Sequence, residues 1–218
     1  MRKFAPIAVF AGLMVACGAC AEPPMSTVPS GPMSPDPEPG RPVELVVHAD
    51  TSCSRQDVKA MHEAADTWKA QSGLLANIRI VHDLDYSSVI GLYGHTYNGD
   101  TLLTCVPEDS PEVKFHDGDR TPGAVTLGWV YPPRGIKSQG KEPVHISMVS
   151  DRLRGNSFRK SVYLHEFGHA LGLAHIESFD TVMWSTTYDG KTTCLKKPDL
   201  DQFCEVHDCG TTQTFPCE

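Results

Sequence analysis

The chain has 218 residues, of which 40% are hydrophobic, and carries a formal charge of −8. That allows one domain with an ordinary core once a leader and a linker are set aside. An acidic chain with no basic stripe speaks against a nucleic-acid partner.

The N-terminus reads MRKFAPIAVFAGLMVAC. Arg2 and Lys3 precede an apolar run from Phe4 to Ala16, the pattern of a signal peptide over residues 1–21. The run falls short of the roughly 20 apolar residues that a permanent membrane helix needs. Two processing sites compete. Met14-Val15-Ala16-Cys17 resembles a bacterial lipobox, which would lipidate Cys17 and attach the chain to a membrane. Ala19-Cys20-Ala21 offers an ordinary A-x-A site. The first is favoured, and both predict an exported chain, either a cell-envelope lipoprotein or a freely secreted protein. Residues 22–42 are Pro-rich and hold almost no large apolar side chains, so they read as an extended linker. Residues 43–218 remain as the domain.

Within it, Val43 to Ala49 reads as a buried strand. Ser54 and Asp57 form an S-x-x-D capping box at the start of a helix. Val58, Met61, Ala65 and Trp68 then lie on one helical stripe, and Gly73 stops it. Ile78, Ile80 and Leu84 suggest a second strand. Leu102–Val106, Ala124–Tyr131 and Val144–Val149 follow as further strands, with loops expected around 91–100 and 116–123. Asp83 with Asp85, or Asp117 with Asp119, offers oxygen ligands of the calcium type, although solvated acidic loops are the favoured reading. The order of strand, helix, several strands and helix predicts a mixed sheet with a long helix on one face.

Cysteines agree with export. Beyond Cys17 and Cys20, six remain: Cys53, Cys105, Cys194, Cys204, Cys209 and Cys217. An even set in an exported domain predicts up to three disulfides of unassigned pairing, with the crowded C-terminal tail stapled down. The rival reading is a second metal site from Cys204, His207, Cys209 and Cys217.

The chemistry concentrates in Leu164-His165-Glu166-Phe167-Gly168-His169-Ala170-Leu171-Gly172-Leu173-Ala174-His175, an H-E-x-x-H-x-x-G-x-x-H pattern. Asn156 or Ser157 serves as the expected N-cap of its helix. Residues four apart share a helix face, about 5–6 Å apart at Cβ, so His165 and His169 can reach one ion. Glu166 projects beside them, within reach of water rather than of the metal. Gly172 can take positive φ and end the helix, letting the chain turn back with His175 as third ligand. Three protein ligands leave a position open, which is the arrangement of a catalytic zinc site. Five specified residues at fixed spacing make coincidence a below ~10⁻⁴ event.

In these residues the chain resembles the metzincin metallopeptidases. Thr181-Val182-Met183-Trp184 fits the methionine turn that lies under the zinc in that family, and its short distance from His175 is closest to the matrixin branch. Asp199 to Cys204, begun by Pro198, resembles the family's last helix. The resemblance implies an α+β fold: a mixed, mainly parallel twisted sheet with a long active-site helix and a C-terminal helix. It implies a zinc endopeptidase that takes a protein or peptide extended beside an edge strand, for which Val144–Val149 is the candidate. Met183 would support the site by packing. Ile176 stands where matrixins usually carry Ser, no Tyr lies two residues past Met183, and no cysteine-switch propeptide is evident. The alternative function is a non-catalytic cell-envelope binding module on the same fold; it predicts a lost ligand or Glu, and none is lost. Oligomeric state has no signal in the sequence.

Overall fold

The computed structural model describes residues 39–51, 53–84, 101–118, 127–131, 144–185 and 192–217. The expected signal peptide, Cys17, Cys20 and the linker up to residue 38 lie outside them. So do Asp85, Asp119 and the loop expected at 91–100. All described elements belong to one compact unit, Pro37–Glu218.

Five strands form one sheet in the order β2-β1-β3-β5-β4. They are β1 (Val43–Asp50), β2 (Ala76–Leu84), β3 (Thr101–Cys105), β4 (Gly128–Tyr131) and β5 (Val144–Met148). β2, β1, β3 and β5 run parallel, and β4 joins β5 antiparallel, with Gly128 opposite Met148 and Tyr131 opposite His145. One core cluster takes Leu45, Val47 and Ala49 from β1, Leu103 from β3, and Val144, Ile146 and Met148 from β5. Among the described strands, the one at the edge beside the long helix is therefore β4. Val144–Val149, expected at the edge, lies inside, because β5 is hydrogen-bonded to β3 on its other side.

Helix α1 (Arg55–Gln71) starts at the expected capping box: the Asp57 amide donates to Ser54 Oγ at 3.2 Å, and the Ser54 amide to Asp57 Oδ2 at 3.2 Å. Its buried face is Ala60, Met61, Ala64, Ala65 and Trp68, and Val58 packs at the margin. Gly73, at φ 70°, follows the cap residue Ser72 and turns the chain into β2. A short helix α2 (Pro111–Gly118) replaces the loop expected from residue 116. Its signals are local: Ser110 Oγ accepts from the Val113 amide at 3.2 Å, and Pro111 opens the first turn. Asp117, one of the calcium candidates, takes a two-pronged ion pair from Arg152 at 2.8 and 3.0 Å.

Helix α3 (Asn156–Ala170) packs against α1 and against β4 and β5. Its N-cap is Gly155, at φ 76° and ψ 156°, with no side-chain cap bond, in place of the expected Asn156 or Ser157. The N-terminal ends of α1 and α3 are tied by a buried cluster instead. Asp57 pairs with Arg159 and accepts from Tyr163 Oη at 3.2 Å, while Arg159 Nη2 donates to Leu153 O at 2.7 Å. Helix α4 (Lys197–His207) begins with Pro198 in its first turn, and the chain closes on three disulfides: Cys53–Cys105, Cys194–Cys217 and Cys204–Cys209. These pairings leave no thiols for the rival metal site. Cys53–Cys105 spans 52 residues and constrains the unfolded chain most, by about 4 kcal/mol on loop entropy. The other two staple the tail.

Candidate metal centre

α3 carries His165 and His169 one turn apart, and the end of the helix decides where His175 goes. The Gly172 amide donates to His169 O at 2.9 Å and the Leu173 amide to Gly168 O at 2.9 Å. This pair of bonds is a Schellman stop, with Gly172 in the left-handed position at φ 93°. A side chain there would be strained whatever space surrounds it, so the glycine is required by the backbone. The reversal returns His175 to the helix face. The Nε2 atoms then lie 3.0 Å (His165–His169), 3.1 Å (His169–His175) and 3.3 Å (His165–His175) apart.

That geometry fits a metal. His165 Nδ1 donates to Val182 O at 2.7 Å and His169 Nδ1 to Leu173 O at 2.8 Å. A carbonyl only accepts, so both rings hold their proton on Nδ1 and turn the Nε2 lone pair toward the common point. Burial holds the His165 ring down to about 3, helped by the neighbouring His169 and His175 against the Val182 bond. His169 is lowered too, first by burial. These rings are neutral at neutral pH and deprotonated where a metal needs them. Converging lone pairs repel unless a cation lies between them. Bonds of roughly 2.0–2.1 Å in a tetrahedron separate nitrogens by about 3.3 Å, close to what is seen. Among the described residues these three histidines are the one group of three or more that could hold an ion.

Glu166, next to His165 on α3, is buried. Met183, fully buried, lies beneath the helix. A Cβ built on Gly168 would collide with Met183 Sδ and come within 3.1 Å of Met183 Cε and 3.3 Å of Trp68 Cζ2. Gly168 thus makes the notch that Met183 fills.

Asp199 was not singled out by its sequence context, yet it ties the site together. Fully buried near the start of α4, its carboxylate accepts from the amides of Val182 at 3.1 Å, Met183 at 3.0 Å and Lys196 at 2.9 Å. It therefore fixes the turn whose Val182 carbonyl orients His165. Burial raises its carboxyl above the ordinary value, and the three amide bonds pull the other way. The loop between His175 and Met183 closes with the Ile176 amide donating to Met183 O at 2.9 Å.

The structure is similar to the crystal structure of metalloproteinase-II from Bacteroides fragilis, with a TM-score of 0.48 and 12% identity over 79% of this chain. The match spans 55% of that protein's length. No curated protein sequence matches significantly. The profile of the matrixin family matches residues 39–207, which takes in the five described strands, the four described helices and every residue of the histidine site. The chain belongs to the matrixin family of zinc metallopeptidases.

Proposed function

We propose that this protein is an exported zinc endopeptidase in which His165, His169 and His175 hold the metal and Glu166 is the general base. The observation that carries the reading is the convergence of three Nε2 atoms within 3.3 Å, two of them oriented by backbone carbonyls. Zinc bound there supplies Lewis acidity to a carbonyl and acidifies water. Glu166 takes the proton of the attacking water on a carboxylate oxygen and returns it to the nitrogen of the leaving amine. Its burial beside the histidines keeps that carboxylate in a low-dielectric site. Gly172 places His175, and Met183 supports the floor. The substrate is a protein or peptide lying beside β4.

The test uses the full chain on unfolded protein substrates. Cleavage should be lost on chelation, return with zinc, and fall at least a hundredfold in Glu166→Gln. Wild-type rates in Glu166→Gln would remove the base role. A folded, zinc-loaded wild type that cleaves nothing would favour a binding role.

Export and lipidation of Cys17 rest on the N-terminal pattern alone. Expression in a bacterial host with labelled fatty acid, followed by mass measurement of the mature chain, separates a lipidated Cys17 from cleavage after Ala21. An uncleaved chain retained in the cytoplasm would refute both.

A further inference from the structure

Gly128 opens the edge strand β4, and a glycine in a strand often marks a close approach of another group. Its φ is not among the positive values, so the backbone does not require it. What requires it is the space that a Cβ would occupy. A methyl group built there would lie 2.9 Å from Met148 Sδ, 3.0 Å from Glu166 Oε1 and 3.2 Å from Ser147 O. Gly128 is paired directly with Met148 across the β4–β5 ladder, and α3 rests on both strands. The carboxylate of Glu166 thus descends from the helix onto bare backbone at the first residue of the edge strand.

We propose that Gly128 is a positioning residue for Glu166: its missing side chain, beside Met148, is the seat that sets where the carboxylate oxygen stands. This rests on the reading of Glu166 as general base. The three neighbours of an added methyl differ in what they can yield. Ser147 O is main chain in the strand next to β4 and cannot retreat without distorting the ladder. Met148 is fully buried in the core, so its sulfur can swing only into occupied space. The Glu166 carboxylate is buried as well, but it is the far end of a flexible side chain, and at 3.0 Å it must give by a few tenths of an ångström. A reacting group displaced by about 1 Å costs up to about a hundredfold in rate, so a smaller displacement should cost roughly tenfold. None of this touches the histidines, so zinc affinity is expected to hold.

The experiment is a two-by-two cycle in the full-length, zinc-loaded protein: wild type, Gly128→Ala, Glu166→Asp and the double variant. Gly128→Ala should lower kcat about tenfold with KM within about twofold and zinc affinity unchanged. Asp draws the carboxylate back by one C–C bond, about 1.5 Å, so the same methyl should cost less than about twofold in the Glu166→Asp background. That non-additivity is the signature of a seat, and a purely structural defect would not produce it. A direct readout without turnover is calorimetric binding of a peptide hydroxamate, whose N–OH proton needs a carboxylate acceptor. Gly128→Ala should bind it about tenfold more weakly. If Gly128→Ala fails to fold, Met148→Val in both arms of the cycle relieves the sulfur contact and leaves the carboxylate contact in place. An unchanged kcat, an equal loss in both backgrounds, or a loss that follows zinc content would overturn the proposal. Failure of the general-base reading looks different: Glu166→Gln would then turn over like the wild type, whatever stands at position 128.

Discussion

Replacing Asp199 by Asn keeps the size of the side chain and removes its charge and one acceptor oxygen. In the folded protein Oδ2 accepts from Val182 and Lys196, and Oδ1 from Met183. The Asn amide nitrogen must face at least one of these donors, leaving a buried N–H without an acceptor. A bond to a charged group contributes about 1.5–3 kcal/mol, and a stranded buried donor costs about 1–3 kcal/mol. Against this stands relief of the burial that raises the Asp199 carboxyl. The balance is a loss of about 2–4 kcal/mol, or about 4–16 °C in Tm for a domain of this size. The functional effect travels through one bond. Without Asp199 the Val182 carbonyl no longer holds its place under His165 Nδ1, and loss of such an outer partner typically costs 10–100-fold in metal affinity or activity. The assay pairs thermal unfolding with zinc competition against a chromophoric chelator and with kcat/KM. A folded Asp199→Asn protein with zinc affinity within twofold of wild type would refute the argument that this carboxylate orients the histidine through the turn.

Zinc should raise Tm, since the three-histidine arrangement exists only in the folded chain; free zinc at a hundred times its Kd adds about 2.7 kcal/mol, or about 5–11 °C, and a chelator should reverse it. No zinc-dependent shift in Tm would count against the site. The metal-free protein should lose stability as pH falls from about 6.5 toward 5. His165 and His169 have folded pKa values below the unfolded one, so the unfolded chain binds protons that the folded chain refuses. Each group tilts stability by at most about 1.4 kcal/mol per pH unit. Asp199, shifted upward, acts in the opposite sense at lower pH. Equal urea midpoints at pH 7 and pH 5 in the chelated protein would contradict this. Gly168→Ala should destabilise by about 1–2 kcal/mol despite the better helix propensity of Ala, because Met183 and Trp68 are both fully buried and leave the methyl nowhere to go. A rise in its melting temperature would show that the notch has slack.

The cluster of three histidines was legible because its geometry is local. Two histidines one turn apart on a helix converge whatever surrounds them, and a glycine three residues after the second stops that helix in one recognisable way. The sheet was legible as a set of strands but not in its order. Val144–Val149 and Ala124–Tyr131 both read as strands, and which one forms the edge depends on Thr101 pairing with Val144, a contact between distant parts of the chain. Gly128 and Gly168 carried a weak signal, a glycine inside a regular element, which marks a close approach without naming what approaches. Asp199 is the instructive case. An acid just after Pro198 at the start of a helix reads as an ordinary cap for that helix. The local pattern would be identical if the carboxylate did nothing more. In the folded protein the same two oxygens also hold Val182 and Met183, and through Val182 they reach His165. What distinguishes the two cases is burial: an exposed cap has no reason to suffer an upward shift, whereas Asp199 is fully buried and its carboxyl is raised. A carboxylate kept inside at that cost, in contact with the turn that orients His165, is held there by the cluster it supports.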